Sequence, residues 1–229
     1  MAIAIIGAME EEVQILREMM EVSAVKEIAH VEFTSGKLNG REVILLKSGI
    51  GKVNAAVATT LLFEHFQVEA VINTGSAGGL HPEANVGDVV ISSGVLYHDV
   101  DVTGFNYAYG QVPGMPAQYD PSPSLVAKVR EILDSGEKPY WMGAIGTGDS
   151  FINRPDQLEW IKKHTPQAVA IEMEAAAVAQ VCHLYGIPFV ILRALSDIAG
   201  KESHLTFSEF LSVAARESSE MVKSLVSLI

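Results

Sequence analysis

The chain has 229 residues, of which 48% are hydrophobic and 19% charged, and its formal net charge is −12. This balance is typical of a globular protein with a large core and excludes a disordered chain. The negative charge argues against a nucleic-acid or anionic-membrane partner, because the protein's field would repel phosphate polymers. We expect one domain over residues 1–229.

The compartment is predicted from the cysteine content and from the apolar segments. A single cysteine, Cys182, excludes an intramolecular disulfide framework and a thiolate metal cluster, and its apolar neighbours predict a buried side chain. The first nine residues lack the positive charge and cleavage site of a signal peptide, so they predict a buried strand. No apolar stretch reaches the ~18 residues that a membrane span needs. A cytoplasmic protein is therefore expected.

Apolar runs of strand length alternate along the chain with segments of helical period. The predicted strands cover residues 3–8, 27–35, 42–47, 70–74, 88–97, 141–146, 168–171 and 189–194. A first helix is predicted from an apolar face that contains Val53, Ala56, Val57 and Leu61, an Ala-rich buried helix after Met173, and a third in the final segment. The alternation indicates an α/β fold whose mostly parallel or mixed sheet carries helices on its faces.

Residues 99–123 interrupt this alternation. The segment contains four prolines and several glycines, and with the neighbouring Tyr97 it accounts for five aromatic residues, namely Tyr97, Phe105, Tyr107, Tyr109 and Tyr119. A loop this long in a compact domain is usually functional. We therefore predict a lid or an oligomer contact.

Three glycine-rich segments are candidates for nucleotide binding, and two of them lack the required pattern. Met9 stands where a dinucleotide fingerprint needs glycine, and Leu46 and Val53 stand where a phosphate loop needs glycine and a hydroxyl. The third segment, residues 73–79, follows a predicted strand. Its small residues suit either a plain turn or the close approach of a ligand to the backbone.

Acidic residues follow three of the predicted strands: Glu10, Glu11 and Glu12; Glu172 and Glu174; and Asp197. Helix capping explains some of them, but two acids in the otherwise uncharged stretch 168–181 are costly to bury without a partner. Arg193 is expected to pair with a carboxylate for the same reason. The carboxyl ends of parallel strands converge on one crevice, so these acids predict acid–base chemistry at a glycosidic centre.

A metal site is the alternative use for such acids. His98, Asp99 and Asp101 stand close together in the sequence and could mimic metal ligands. Further ligands at suitable spacing are missing, so we predict no metal.

Taken together, these segments resemble bacterial 5′-methylthioadenosine/S-adenosylhomocysteine nucleosidases. The match covers residues 5–12, 48–56, 73–78, 97–103, 148–152, 171–175, 193–197 and 203–207, in order and without a long insertion. The resemblance implies a three-layer nucleoside phosphorylase-like fold with a mixed central sheet flanked by helices. It also implies a homodimer, no cofactor, and hydrolysis of 5′-methylthioadenosine and S-adenosylhomocysteine to adenine and the thioribose.

Phosphate-dependent cleavage is the nearest alternative, because the wider superfamily includes phosphorylases. Those of the hexameric purine type carry an arginine at the place of Asn73, and the acidic segment 9–12 does not suit phosphate. Water is therefore favoured as the nucleophile. A purine nucleoside phosphorylase and a non-catalytic adenine-nucleoside sensor stay as alternatives.

The resemblance also implies roles for single residues. Asp197 is the general acid at adenine N7, and burial would keep it protonated. Glu12 is the base for the attacking water, which Ser76 and Arg193 help to position. Glu174 and the Met173 backbone bind the ribose hydroxyls.

The remaining predicted substrate contacts surround adenine and the 5′ substituent. The Phe151 ring stacks on adenine, and the backbone of Ile152 recognises the edge of the adenine ring. The predicted apolar 5′ pocket consists of Met9, Ile50, Val102, Phe105 and Phe207, with Pro113 reaching across from the partner subunit. Ala77, Gly78, Glu172 and Ser196 complete the predicted site, while Glu172 shares with Glu10 and Glu11 a mainly structural role. Without the resemblance, Phe151 and Phe207 would be interpreted as core residues.

Overall fold

The computed structural model describes residues 1–136, 139–199 and 203–229, without the side chains of 203–206 and 208. In these ranges the strands are β1 Ala2–Gly7, β2 Glu21–Ile28, β3 Val31–Leu38, β4 Arg41–Lys47, β5 Val68–Asn73, β6 Ser76–Gly79, β7 Val89–Tyr97, β8 Tyr140–Thr147, β9 Ala168–Glu172 and β10 Phe189–Ile198. The helices are α1 Glu10–Met19, α2 Lys52–His65, α3 Pro123–Asp134, α4 Pro155–His164, α5 Ala175–Tyr185 and α6 Ser203–Leu228.

The strands form one mixed sheet in the order β2-β3-β4-β1-β5-β10-β6-β9-β8-β7. β4, β1, β5 and β10 run parallel to one another. β2, β3 and β4 form an antiparallel meander at the edge of the sheet. β7 also pairs antiparallel with β10, so the half of the sheet from β10 to β7 closes on itself. The strand β10 therefore belongs to both halves and lies at the centre of the molecule.

The core consists of two apolar layers on opposite faces of the sheet. Along β1, Ile3 and Ile5 join the layer beneath α1, α3 and α6, while Ala4 and Ile6 join the layer beneath α2 and α5. This alternation follows from the two-residue period of a strand. The result is the three-layer phosphorylase-type fold predicted above. No helix in the described ranges is long and apolar enough to cross a lipid bilayer.

One predicted strand and one glycine-rich segment differ from the prediction. The predicted strand 27–35 is a hairpin, because Ala29 and His30 adopt positive φ values of 49° and 64° and separate β2 from β3. The glycine-rich stretch 76–79 is not a turn but the strand β6, which pairs with β10 and β9.

The orientation of α2 also differs from what its apolar pattern indicates. Its buried face consists of Ala55, Ala58 and Leu62, whereas Val53, on the apolar face noted in the sequence, is 73% exposed. The small residues are buried because α2 packs closely against the Ala-rich helix α5. That helix buries its alanines and Cys182 as predicted.

Candidate active site

Acids from the carboxyl-end regions of β1, β9 and β10 line one open cavity, whose empty volume with the solvent at its opening is about 740 Å³. Glu12, Glu174 and Asp197 are all buried in its wall. The sequence-predicted residues that line this cavity are Met9, Glu12, Ile50, Ser76, Ala77, Gly78, Phe151, Glu172, Met173, Glu174, Ser196, Asp197 and Phe207. The strand ends therefore bring most of the predicted site together.

Glu12 lies on the first turn of α1 and accepts four hydrogen bonds. Its Oε2 accepts from the backbone N–H groups of Ala8 (2.8 Å) and Met9 (3.1 Å), and its Oε1 accepts from the backbone N–H and the hydroxyl of Ser76 (2.9 and 3.0 Å). N–H donors at a helix start favour a carboxylate. Glu12 is thus held in one orientation by β1 and β6, with its carboxylate at the cavity wall.

Because Gly75 has no side chain, the Glu12 carboxylate can lie directly against its backbone. Gly75 has φ +152°, and a Cβ added there would lie 2.7 Å from Glu12 Oε1. We expect Gly75→Ala to displace the carboxylate and to lower kcat by about 10²-fold, which is the low end of a general-base contribution. Steady-state turnover of methylthioadenosine, the substrate that the resemblance implies, checks this. Gly40→Ala is the matched control, because Gly40, in the turn between β3 and β4, also has positive φ (+79°) but no heavy atom lies within 4 Å of the added Cβ. Equal losses in both variants would contradict the expectation.

Glu174 caps the segment before α2 from across the cavity. Its Oε1 accepts a hydrogen bond of 2.8 Å from the Gly51 backbone N–H. Burial is the main cause that raises the pKa of Glu174 to about 8, and the nearby Glu172 adds to the rise, while the Gly51 N–H and Arg193 oppose it. The fold therefore holds an acid whose ionisation is unfavourable until a ligand compensates it.

This raised pKa makes the stability effect of Glu174 depend on pH. Its folded pKa lies above its ordinary value of 4.5, so the fold loses stability as the pH rises between these two values. Glu174→Gln keeps an acceptor for Gly51 and removes the charge. We expect it to melt close to wild type at pH 4.5 and clearly above wild type at pH 9, because only the wild type then carries the unfavourable buried charge. Thermal melting across this range checks the gain, with the exposed Glu11→Gln as control; a difference in Tm that does not change with pH would contradict it.

A β-bulge directs Asp197 toward the cavity. The register of β10 against β6 shifts between Leu195 and Asp197, and such an irregularity turns the side chain that follows it. The Ser196 hydroxyl donates to Asp197 Oδ1 at 2.9 Å. A Cβ added to Gly78 would lie 3.3 Å from Asp197 Oδ2, so the backbone of β6 passes close to the carboxyl group.

Arg193 belongs to a buried network behind the cavity. Its guanidinium pairs with Glu172 at 2.8 Å, which is the expected carboxylate partner, and also donates to Asn73 Oδ1 at 2.7 Å. Glu172 in turn accepts from the backbone N–H groups that open α5 and from the Thr147 hydroxyl. Arg193 is not among the residues that line the cavity, so its role in positioning the attacking water, which would act through this network, stays a prediction.

The cavity continues into a smaller, open space of about 300 Å³. Ile152 lines it together with Phe151 and Asp197. The ring of Phe151 contacts Phe207 edge to face, with 5.7 Å between ring centroids. Phe151 and Phe207 thus form an apolar wall at the side of the acids, rather than filling the core.

Comparison with known proteins agrees with this geometry. The Phosphorylase superfamily profile matches residues 2–227. A 5′-methylthioadenosine/S-adenosylhomocysteine nucleosidase of Bacillus subtilis is 55% identical over 230 aligned positions, covering 100% of both chains. The chain belongs to this nucleosidase family.

Two solved structures place ligands on the same fold. The nucleosidase of Neisseria meningitidis, in complex with methylthio-immucillin-A, is 44% identical with a TM-score of 0.97, over 100% of this chain and 99% of that one. The nucleosidase of Colwellia psychrerythraea, in complex with adenine, is 45% identical with a TM-score of 0.95, over 99% of this chain and 94% of that one. The nucleosidase fold is therefore common to these chains over their full length.

Some predicted residues of the nucleosidase site lie elsewhere in the structure. Val102 and Phe105 do not line the cavity of their own chain, and Phe105 is 79% exposed on a single 3-10 turn. Pro113 is exposed as well. Of the matched segment 203–207, the side chains of 203–206 lie outside the described residues.

Other residues line the nucleosidase cavities without having been predicted. They are Ala8, Ile171, Ser150 and Ala199. Three of them are sequence neighbours of predicted residues, which is the signal that could have found them. The potential metal ligands are engaged differently: Asp99 pairs with Lys52, Asp101 binds Thr103, and His98 is buried.

Proposed function

We propose that the chain hydrolyses the N-glycosidic bond of 5′-methylthioadenosine and S-adenosylhomocysteine and releases adenine. The observation that carries this proposal is the cavity with Glu12, Glu174 and Asp197 in its wall. The adenine and the methylthio-immucillin-A bound by the two solved relatives support adenine nucleosides as its substrates. The other product is the thioribose that keeps the 5′ substituent.

Adenine is a good leaving group only when it is protonated. When the bond between adenine N9 and ribose C1′ breaks, its electron pair stays with adenine, and Asp197 donates its proton to N7. The Ser196 hydroxyl donates to Asp197 Oδ1, and Asp197 Oδ2 lies close to the β6 backbone at Gly78, on the wall of the cavity. A general acid of this kind contributes about 10²–10⁴ in rate.

Water attacks C1′ from the opposite face of the ribose. Glu12 accepts the proton of this water, and the Ser76 hydroxyl, 3.0 Å from Glu12 Oε1, helps to orient it. Glu174 accepts hydrogen bonds from the ribose hydroxyls, which compensates the burial of its charge. The wall formed by Phe151 contacts adenine, and Met9, Ile50 and Phe207 contact the 5′ substituent.

Charge supports water rather than phosphate as the nucleophile. Among the described residues that line the cavity, none is a lysine, arginine or histidine. Arg193, a buried cation behind the cavity, is paired with Glu172. The described part of the cavity wall is therefore acidic and offers phosphate no cation to compensate its charge.

The test is adenine release from methylthioadenosine in phosphate-free buffer. We expect turnover without phosphate and no increase when phosphate is added. Release that depends on phosphate would instead identify a phosphorylase. Tight binding without release would identify a sensor.

We also propose a homodimer, a single domain and a cytoplasmic location. The dimer is supported by large apolar side chains that are exposed on the surface of the single chain, among them Val53, Val57 and Phe105. In a dimer, the segment with Val102, Phe105 and Pro113 would complete the 5′ pocket of the partner subunit.

Sedimentation of the wild-type protein at micromolar concentration should give a mass of twice 24.6 kDa. Val53→Asp places a charge on the exposed apolar surface and should shift the measured mass toward that of the monomer. A wild-type mass of 24.6 kDa would refute the dimer.

A further inference from the structure

An ion cluster lies beside the cavity, where α2, the end of β7 and the loop after β8 meet. The Lys52 ammonium is 2.7 Å from Asp99 Oδ2 and 3.7 Å from Asp149 Oδ2. The Asp149 backbone N–H donates to the same Asp99 oxygen at 2.9 Å. The cluster thus joins three segments of chain that are far apart in sequence.

The same cluster fixes the backbone at the start of α2. Two successive N–H groups there donate to two different carboxylates: Gly51 to Glu174 and Lys52 to Asp149, both at 2.8 Å. The two peptide groups are joined at Gly51, whose φ of +96° lies in a region that only glycine adopts readily. Because φ and ψ of Gly51 are soft, the bond from Lys52 N–H to Asp149 restricts the directions in which the Gly51 N–H can point and so helps to hold it on Glu174. The free N–H groups of a helix start favour such carboxylate partners.

Asp149 is also close in sequence to the apolar wall. Phe151 follows it by two residues and lines both cavities, and Ile50 precedes Gly51 and lines the larger one. The Asp149 carboxylate, which lies outside the cavity, is therefore linked through backbone or hydrogen bonds to three residues that line it: Ile50, Glu174 and Phe151.

We infer that Asp149 is a positioning residue for substrate binding, which acts through the Gly51 amide on Glu174 and through its own loop on Phe151. This inference rests on the proposed function. It assigns Asp149 no contact with the substrate and no proton transfer. Its effect is to hold the ribose-binding carboxylate and the adenine wall at a fixed separation before the substrate arrives.

A purely structural role as a helix cap gives a different kinetic result. Loss of a cap lowers the folded fraction and with it the measured kcat, but KM of the folded molecules stays the same. Loss of positioning raises KM, because substrate binding must then order Gly51 and Glu174. The two roles are separated by KM and kcat measured together with Tm.

The experiment compares Asp149→Ala with Asp149→Asn in the methylthioadenosine assay. We expect Asp149→Ala to raise KM about tenfold, the equivalent of one charge-assisted hydrogen bond, with kcat within about threefold of wild type. Asp149→Asn keeps an oxygen that can accept the hydrogen bond from the Lys52 N–H, so its KM should be close to the wild-type value. The control is Asp156→Ala, which removes an exposed, Arg154-paired carboxylate from the same part of the chain. An unchanged KM in Asp149→Ala, or an equal rise in Asp156→Ala, overturns the inference.

A double-mutant cycle tests the route through Glu174. In the Glu174→Ala background, which removes the acceptor for the Gly51 N–H, Asp149→Ala should change KM by less than about threefold, since the two residues act on the same contact. A full tenfold effect in both backgrounds overturns the route through Gly51. Wild-type turnover in the same assay tests the proposed function separately, so a failure of that function is distinct from a failure of this inference.

Discussion

Asp197→Asn is expected to lower kcat for adenine release by about 10³-fold while the fold stays intact. An amide in the place of the carboxyl group has no proton of suitable acidity for adenine N7. It keeps an oxygen that can accept the 2.9 Å hydrogen bond from the Ser196 hydroxyl, so packing around the bulge in β10 should change little. Single-turnover adenine release checks the rate, and thermal melting checks the fold.

The matched control for Asp197→Asn is Asp156→Asn. It makes the same chemical change at an exposed carboxylate on α4. Near-normal turnover by Asp197→Asn would remove Asp197 from its role as the acid. A loss of turnover that is accompanied by unfolding would not support the role either, which is why both measurements are needed.

Glu12→Gln is expected to lower kcat to a similar extent, about 10²–10⁴-fold, and also to destabilise the fold. The carboxylate accepts four hydrogen bonds, two on each oxygen. A glutamine offers only one oxygen, so its NH₂ group must face one pair of donors, either the N–H groups of Ala8 and Met9 or the two donors of Ser76. Leaving buried donors unpaired costs about 1–3 kcal/mol.

Glu11→Gln is the control for Glu12→Gln, because Glu11 lies on the same helical turn but is exposed. We expect neither kcat nor Tm to change in Glu11→Gln. The measurement is kcat and Tm for both variants, together with binding of adenine to confirm that the cavity persists. Retained turnover in Glu12→Gln would exclude Glu12 as the base.

The sequence predicts the positions of the acids well, because they depend on local patterns. The continuous apolar runs of β1 and β10 are buried on both faces of the sheet, and each can be read without tertiary information. An acid directly after such a run must lie at the carboxyl end of the sheet. The need of Arg193 for a carboxylate partner follows equally from its apolar neighbours. That this partner is Glu172 depends on the sheet order.

The features that could not be predicted depend on contacts between distant segments. β6 is rich in glycine and has little strand propensity, and it is a strand because β10 and β9 flank it. Val53 is exposed although it is apolar, because the close packing of α2 on α5 selects the alanine face. Asp149 was part of a recognised motif, but its contact with the Lys52 N–H spans 97 residues.

The apolar residues at the cavity mouth lie on different elements from the acids. Met9 and Ile50 lie just before helix starts, and Phe207 lies in the second turn of α6. Asp197 instead lies within the strand β10, and Glu174 follows β9 by two residues. Substitutions at helix starts and in loops disturb a fold less than substitutions in a buried sheet. Inhibitors that mimic only adenine and ribose should therefore bind relatives of this enzyme without discrimination. Selectivity between species should come from groups attached at the 5′ end.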